Sequence, residues 1–215
     1  MKYVVKAAVI TFFSLVFHIP TVSAQEFPSE IWHNGYVVLI DGDTLVGKIK
    51  YDFTNDLIQI DRNGSYNTFA ARKILFFKIR DNLAQNDRYF YSLPFKVHSN
   101  YEVPILFEVL YEGKLSLLSR EEIVTENMTS SRTDYYYYPS YYPQNYTREK
   151  LAYKFFFLEE KGTITYYTLK KNDLFSYFGP YAKQVNQYMK KNRLKYDNLR
   201  DLVRTIAYYN ALVGS

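Results

Sequence analysis

Apolar and polar positions alternate along this chain with two different periods, and the place where the period changes divides it. From Gly35 to Asp52 the text reads GYVVLIDGDTLVGKIKYD, two apolar runs that meet at Asp41 and Gly42. An Asp-Gly pair between strand-like runs marks a tight hairpin, because the primed turns that match strand twist need positive φ and these residues tolerate it. In the second run Leu45, Gly47, Ile49 and Tyr51 share one face, and Val46, Lys48, Lys50 and Asp52 the other. That is the period of a half-buried strand. LIQIDRNGSYNTF repeats the device around Asn63 and Gly64, and KILFFKI, residues 73–79, adds a further apolar strand. VPILFEVLYEGKLSLLSR predicts a third hairpin at Glu112 and Gly113, with Ile105, Phe107, Val109 and Tyr111 on one face and Leu115 and Leu117 on the returning arm. YKFFFLEEKGTITYYTL predicts a fourth at Lys161 and Gly162. Parallel pairing would need long crossovers, so four such hairpins predict antiparallel pairing throughout, in a twisted sheet with one apolar face.

After Leu169 the period lengthens. Lys171, Asn172 and Asp173 can cap a short helix carrying Leu174, Phe175 and Phe178, which Gly179 and Pro180 stop before the next begins. Tyr181, Val185, Tyr188 and Met189 then recur at helical spacing, with Lys183, Gln184, Gln187 and Lys190 between them. Asp197 or Asn198 can cap a last helix striped with Leu199, Leu202, Val203, Ile206 and Tyr209 or Asn210. These stripes read as docking faces against the sheet, the alternative being a helix that fits a partner's groove. The expected fold class is α+β: mainly antiparallel β, a twisted sheet of roughly eight to ten short strands curled into a barrel-like or sandwich form, followed by C-terminal helices packed on it.

The first residues belong to neither pattern. Lys2 and Lys6 precede an apolar run from Ala7 to Ile19, then Pro20 and the small-residue site Val22-Ser23-Ala24. That order is the order of a secretory signal cut before Gln25. The run is shorter than the ~18 to 20 apolar residues of a membrane span. Expected divisions are therefore 1–24, a signal peptide; 25–170, the β-rich region with a tyrosine-rich loop at about 121–150; and 171–215, the helical region. No segment after cleavage is long and apolar enough for a transmembrane helix, and the protein is expected to be exported, to the periplasm or to an outer-membrane-associated or extracellular site.

Composition narrows the chemistry. Loss of Lys2 and Lys6 lowers the formal charge from +5 to +3, too small and too dispersed to imply nucleic acid. There is no cysteine, which excludes disulfides, thiolate metal sites and an N-terminal lipid on cysteine, so stability must come from packing. The aromatic share of 19% is about twice that expected of an average domain and favours strands and large buried contacts. His33 and His98 are the histidines after the leader, and HExxH, HxH and GxSxG are absent. A dispersed triad or carboxylate pair can be assembled only by the fold. Asp41 and Asp43 lack the spaced carboxylates and closing glutamate of a calcium loop and read as turn chemistry. Trp32 and His33 read as an aromatic plug at a sheet end, or as a stacking pair for a ligand. Asn63, Asn127 and Asn145 each begin an N-glycosylation acceptor triplet. Asp43-Thr44-Leu45 has the form of an O-glycosylation site of exported Bacteroidetes proteins. No cofactor or metal is implied.

DYYYYPSYYPQNY, from Asp134 to Tyr146, places Tyr135, Tyr136, Tyr137, Tyr138, Tyr141, Tyr142 and Tyr146 in one segment. Pro139 and Pro143 oppose a regular strand there. A connection that long is uncommon and is either functional or disordered, so these tyrosines are the candidate contact surface.

The run Gly35–Leu39, then Asp41-Gly42-Asp43-Thr44-Leu45 and Gly47-Lys48-Ile49-Lys50-Tyr51, resembles the opening of a group of exported Bacteroidetes proteins that carries no established activity. Phe107-Glu108-Val109-Leu110, Glu112–Leu117 and the late Tyr209-Asn210 are similar to later parts of the same group. Some longer members continue into an outer-membrane β-barrel, so the resemblance implies a barrel as a partner rather than a part of this chain. It supplies no site residues. The expected function is that of a non-enzymatic envelope module acting by surface contact with an envelope or outer-membrane protein. The alternative is glycan or peptidoglycan binding, with tyrosines stacked on sugar rings.

Overall fold

The computed structural model describes residues 26–97, 101–129 and 145–214. The expected leader, 1–24, lies outside them. Ten strands form one antiparallel sheet: β1 (His33–Leu39), β2 (Thr44–Asp52), β3 (Leu57–Arg62), β4 (Ser65–Ala70), β5 (Ile74–Arg80), β6 (Asp87–Phe95), β7 (Val103–Tyr111), β8 (Leu115–Thr129), β9 (Asn145–Glu159) and β10 (Ile164–Tyr167). Their spatial order is β10-β9-β8-β7-β6-β5-β1-β2-β3-β4. The four expected hairpins form β1/β2, β3/β4, β7/β8 and β9/β10. Gly42, Gly64 and Gly162 take φ of 95°, 88° and 84°, as tight turns require. The sheet departs from a simple meander at one place. A 3-10 turn, Ala71–Lys73, carries the chain from β4 back to β5, which pairs with β1.

On a flat sheet, β2 and β8 would stand five strand spacings apart, roughly 24 Å at about 4.8 Å each. Yet the Tyr51 hydroxyl in β2 donates to Glu121 in β8 at 2.7 Å, so the sheet curls back on itself. Val37, Ile49, Tyr51, Ile58, Ile60, Phe77, Ile79 and Phe90 fill the curl.

Helices α1 (Lys171–Ser176), α2 (Ala182–Lys191) and α3 (Leu199–Gly214) cover the far end. Leu174, Phe178, Val185, Met189, Leu202 and Ile206 are buried there against Leu115, Leu117, Phe155 and Phe157. Asn198 caps α3, accepting the Asp201 amide hydrogen. Asn210 fixes α3 to the sheet. Its amide accepts from the Leu115 N–H at 3.1 Å and donates to the Leu115 carbonyl at 2.8 Å, in the manner of a neighbouring strand. A Cβ on Gly113 would lie 2.5 Å from the Asn210 Oδ1, so this glycine serves close approach.

β8 and β9 pair over their whole fifteen residues, from Leu115↔Glu159 to Thr129↔Asn145. The expected loop at 121–150 is therefore corrected: 121–129 and 145–150 are strand. β7 meets β8 only through residues 117–119, and β10 meets β9 only through residues 155–158. The remainder of β8 and β9 is a two-stranded arm beyond the sheet, roughly 30 Å long at about 3.3 Å per residue.

Candidate functional site

The inner faces of four strands converge on one guanidinium. Arg88 lies on the inner face of β6, two residues before Phe90. Glu108 comes from β7, opposite Phe90, Glu121 and Ser119 from β8, Tyr51 from β2, and Asp81 from the residue after β5; all are buried. Arg88 Nε donates to Glu108 Oε1 and Nη2 to Glu108 Oε2, both at 2.7 Å. Nη2 also donates to Glu121 Oε1 at 2.6 Å, and Nη1 to Tyr51 and to Asp81, each at 3.0 Å. A guanidinium has five N–H donors, and all five are used. The carboxylates are matched in turn: Ser119 donates to Glu108 at 3.0 Å, Tyr51 to the second oxygen of Glu121, and the Leu83 and Ala84 amides to Asp81 at 2.8 and 3.0 Å. Tyr51 and Phe90 present their rings to the cation, centroids 5.7 and 5.0 Å away.

Three carboxylates around one cation leave an excess of negative charge, and the environment answers it residue by residue. Burial holds the Glu121 carboxyl above the ordinary range, against the pull of Arg88 and the Tyr51 hydrogen bond. Burial also pushes the Tyr51 hydroxyl far up, and raises nearby Tyr153 to about 12. Burial opposes ionisation of Asp81 as well, but the Ala84 and Leu83 amides and Arg88 outweigh it and hold its carboxyl below the usual value.

His33 stands beside this cluster. It is buried, its ring stacked on Tyr51 at 6.3 Å. Nδ1 accepts the Asn82 amide hydrogen at 3.2 Å, so Nε2 is the nitrogen that donates to the Pro28 carbonyl, at 2.7 Å. Trp32 turns away and packs on Tyr66, centroids 5.9 Å apart. The two do not form a stacking pair for a ligand. Asp41 accepts the Asp43 amide hydrogen, which is turn chemistry, and among the described residues no cluster of histidine and carboxylates is placed to hold a metal.

A cleft of ≈ 370 Å³ lined by Glu30, Lys50, Tyr51, Phe53, Gln59 and Glu121 touches the edge of the network. Glu108 and Glu121 do not face each other across it, for both grip Arg88 instead. Every buried side-chain nitrogen and oxygen among the described residues has a partner. The network can lock β2 to β6, β7 and β8.

The arm departs from the sheet where a second ionic group intervenes. The β2–β3 turn holds Asp56 at φ 52° and wedges it between β7 and β8. Asp56 accepts the Leu106 amide hydrogen at 2.8 Å, and Arg120 donates to the Leu106 carbonyl at 2.6 Å and to Asp56 at 2.7 Å. Arg120 also donates to the Phe53 carbonyl. Side chains thus occupy the backbone groups of β7 that β8 would otherwise pair with, and β8 is released beyond Arg120. On the arm, Lys150 pairs with Glu126 at 2.9 Å and Lys154 with Glu122 at 2.8 Å.

Of the tyrosines singled out from the sequence, Tyr146 has its backbone in β9, opposite Met128. Tyr135, Tyr136, Tyr137, Tyr138, Tyr141 and Tyr142 belong to 130–144, which joins β8 to β9 and lies outside the described residues. The network around Arg88 was not anticipated. Its signal is slight: one charge at an inner position of an otherwise apolar alternation, as with Glu108 two residues after Leu106.

No family model matches the chain, and comparison with curated proteins and with solved structures gives no match either.

Proposed function

We propose that this chain is an exported, non-enzymatic interaction module of the cell envelope, and that the β8–β9 arm makes its contacts. One contrast carries the reading. The buried charges are saturated by one another, whereas the arm extends from the sheet with no described element along either backbone edge. Two-stranded ribbons are marginal on their own in water, and an open edge is a template for another strand. The test is retention of envelope components on the immobilised mature chain, compared with a variant carrying Ile123→Lys and Leu151→Lys on one face of the arm. A protein component held by the wild type and lost by the variant supports the proposal; retention of polysaccharide alone overturns it. The tyrosines between the two strands of the arm favour a second reading, glycan binding. In that case replacement of Tyr137, Tyr141 and Tyr142 by alanine abolishes polysaccharide retention and leaves the fold intact.

A further inference from the structure

The arm has two backbone edges of opposite character. On the β8 side, residues 121–129 carry Glu121, Glu122 and Glu126 and no basic residue; on the β9 side, residues 145–154 carry Arg148, Lys150 and Lys154 against the single acid Glu149. Resting on the reading of the arm as the contact element, we propose that the β8 edge pairs with the β8 edge of a second copy, antiparallel and twofold symmetric, about Thr125.

Symmetry and charge select this register. A twofold axis normal to a ribbon leaves each side chain on its own face, so an isologous antiparallel pair must be centred on a residue rather than between two. With Val124 at the centre, Glu122 would face Glu126 of the second copy; with Glu126 at the centre, that acid would face itself. Both juxtapose like charges, which destabilises a cross-strand pair. Centring on Thr125 removes the direct opposition and leaves acids only on diagonals. Glu126 then lies opposite Val124 of the second copy, Glu122 opposite Met128, Ile123 opposite Asn127, and Thr125 opposite Thr125. Thr125 is also the midpoint of 121–129, the stretch beyond the β7 pairing, so this register gives the longest overlap. Lys150 and Lys154 stand behind Glu126 and Glu122 and hold their charge from within each copy.

The β9 edge has only short solutions. Centring on Glu149 sets Arg148 against Lys150, centring on Arg148 or Lys150 sets a cation against itself, and centring on Leu151 sets Arg148 against Lys154; Thr147 and Tyr153 avoid like charges but overlap over no more than five residues of 145–154. Pairing of β8 with the β9 of another copy in the antiparallel sense would place the two bodies side by side only two strand spacings apart, about 10 Å, and they would collide. The symmetric β8 pair points the arms past each other and leaves the bodies at opposite ends.

Sedimentation of the full mature chain tests this with two variants and their mixture. The wild type is expected to be a dimer. Thr125→Glu and Thr125→Lys each place like charges in direct opposition and are expected to weaken self-association at least about tenfold, a cost of about 1.4 kcal/mol, with the melting of the monomer at high dilution unchanged because Thr125 is exposed. The two variants mixed oppose Glu to Lys, and the dimer is expected to return. Thr147→Glu, on the β9 edge, is expected to leave the dimer unchanged. A monomeric wild type, variants that still dimerise, or a mixture that stays monomeric would each overturn the proposal. If the monomeric wild type nevertheless retains an envelope protein through the arm, the dimer is refuted while the interaction reading stands. If the dimer forms and no envelope component is retained, the interaction reading fails while the dimer stands.

Discussion

The network around Arg88 and the β8–β9 arm are both built from charged residues on strands, but they solve opposite problems. At Arg88, four strands bring one cation and three carboxylates out of water, and each group is acceptable there only because the others satisfy it. On the arm, ion pairs such as Lys154 with Glu122 remain in water, where they contribute little energy and mainly fix which edge can meet which. The same residue types thus bind four strands of the body together and, on the arm, leave both backbone edges without a described neighbour. Charge density is a poor guide to function here; the state of the hydrogen-bond donors is the better one.

Breaking the body's side of this contrast should produce the largest effect. Arg88→Met leaves Asp81, Glu108 and Glu121 buried without their cation, and a loss of about 3–5 kcal/mol is expected in urea denaturation. The helix anchor comes next. Gly113→Ala drives a Cβ into the Asn210 amide and is expected to cost about 1–3 kcal/mol. Asn210→Ala, which strands the N–H and C=O of Leu115, is expected to cost a similar amount, about 1–3 kcal/mol.

The pH dependence of stability sharpens the picture within the network itself. Because the folded Glu121 carboxyl titrates above its unfolded value, its contribution is complete below the ordinary carboxylate pKa, about 4.3, and is lost as pH rises through the raised folded value. Asp81 behaves in the opposite sense. Its depressed value adds stability above about 3.9 that is lost as pH falls through the folded pKa. Glu121→Gln should therefore remove the slope on the higher-pH side and Asp81→Asn the slope on the acid side, with the slopes read from urea midpoints across pH. The smallest effect is expected on the arm, where Glu122→Gln removes the pair with Lys154 and should change stability by about 0–1 kcal/mol.

Local signals made most of the sheet legible. Gly42, Gly64 and Gly162 mark turns because a primed turn needs positive φ, and the helices announce themselves through stripes such as Val185 and Met189. Sheet order was not legible, since the seating of β1 between β2 and β5 depends on pairings far apart in sequence. The arm reads as loop in the sequence for a physical reason. The arm alternates in burial, but its half-buried face sets Glu126 between Val124 and Met128 and its exposed face carries Ile123, so REEIVTENMT lacks the apolar-polar alternation that reveals a half-buried strand. The Arg88 network was hidden by dispersal: Asp81, Arg88, Glu108 and Glu121 lie in four separate segments, and only curling of the sheet unites them. Gly113 and Asn210 were visible as separate residues, but their contact belongs to tertiary structure alone.

Native-state hydrogen exchange of the chain from Gln25 onward, at low and high protein concentration, compares both regions in one experiment. Amides of Arg88, Glu108 and Ser119 are expected to exchange only through global unfolding at every concentration. Alternate amides of residues 122–128, those facing away from β9, are expected to exchange rapidly in dilute solution and to become protected as concentration rises, while the outer edge of 145–154 stays unprotected. Exchange from the Arg88 network by local opening, or a β8 edge whose protection does not change with concentration, would contradict a closed body with its contact edge on the arm.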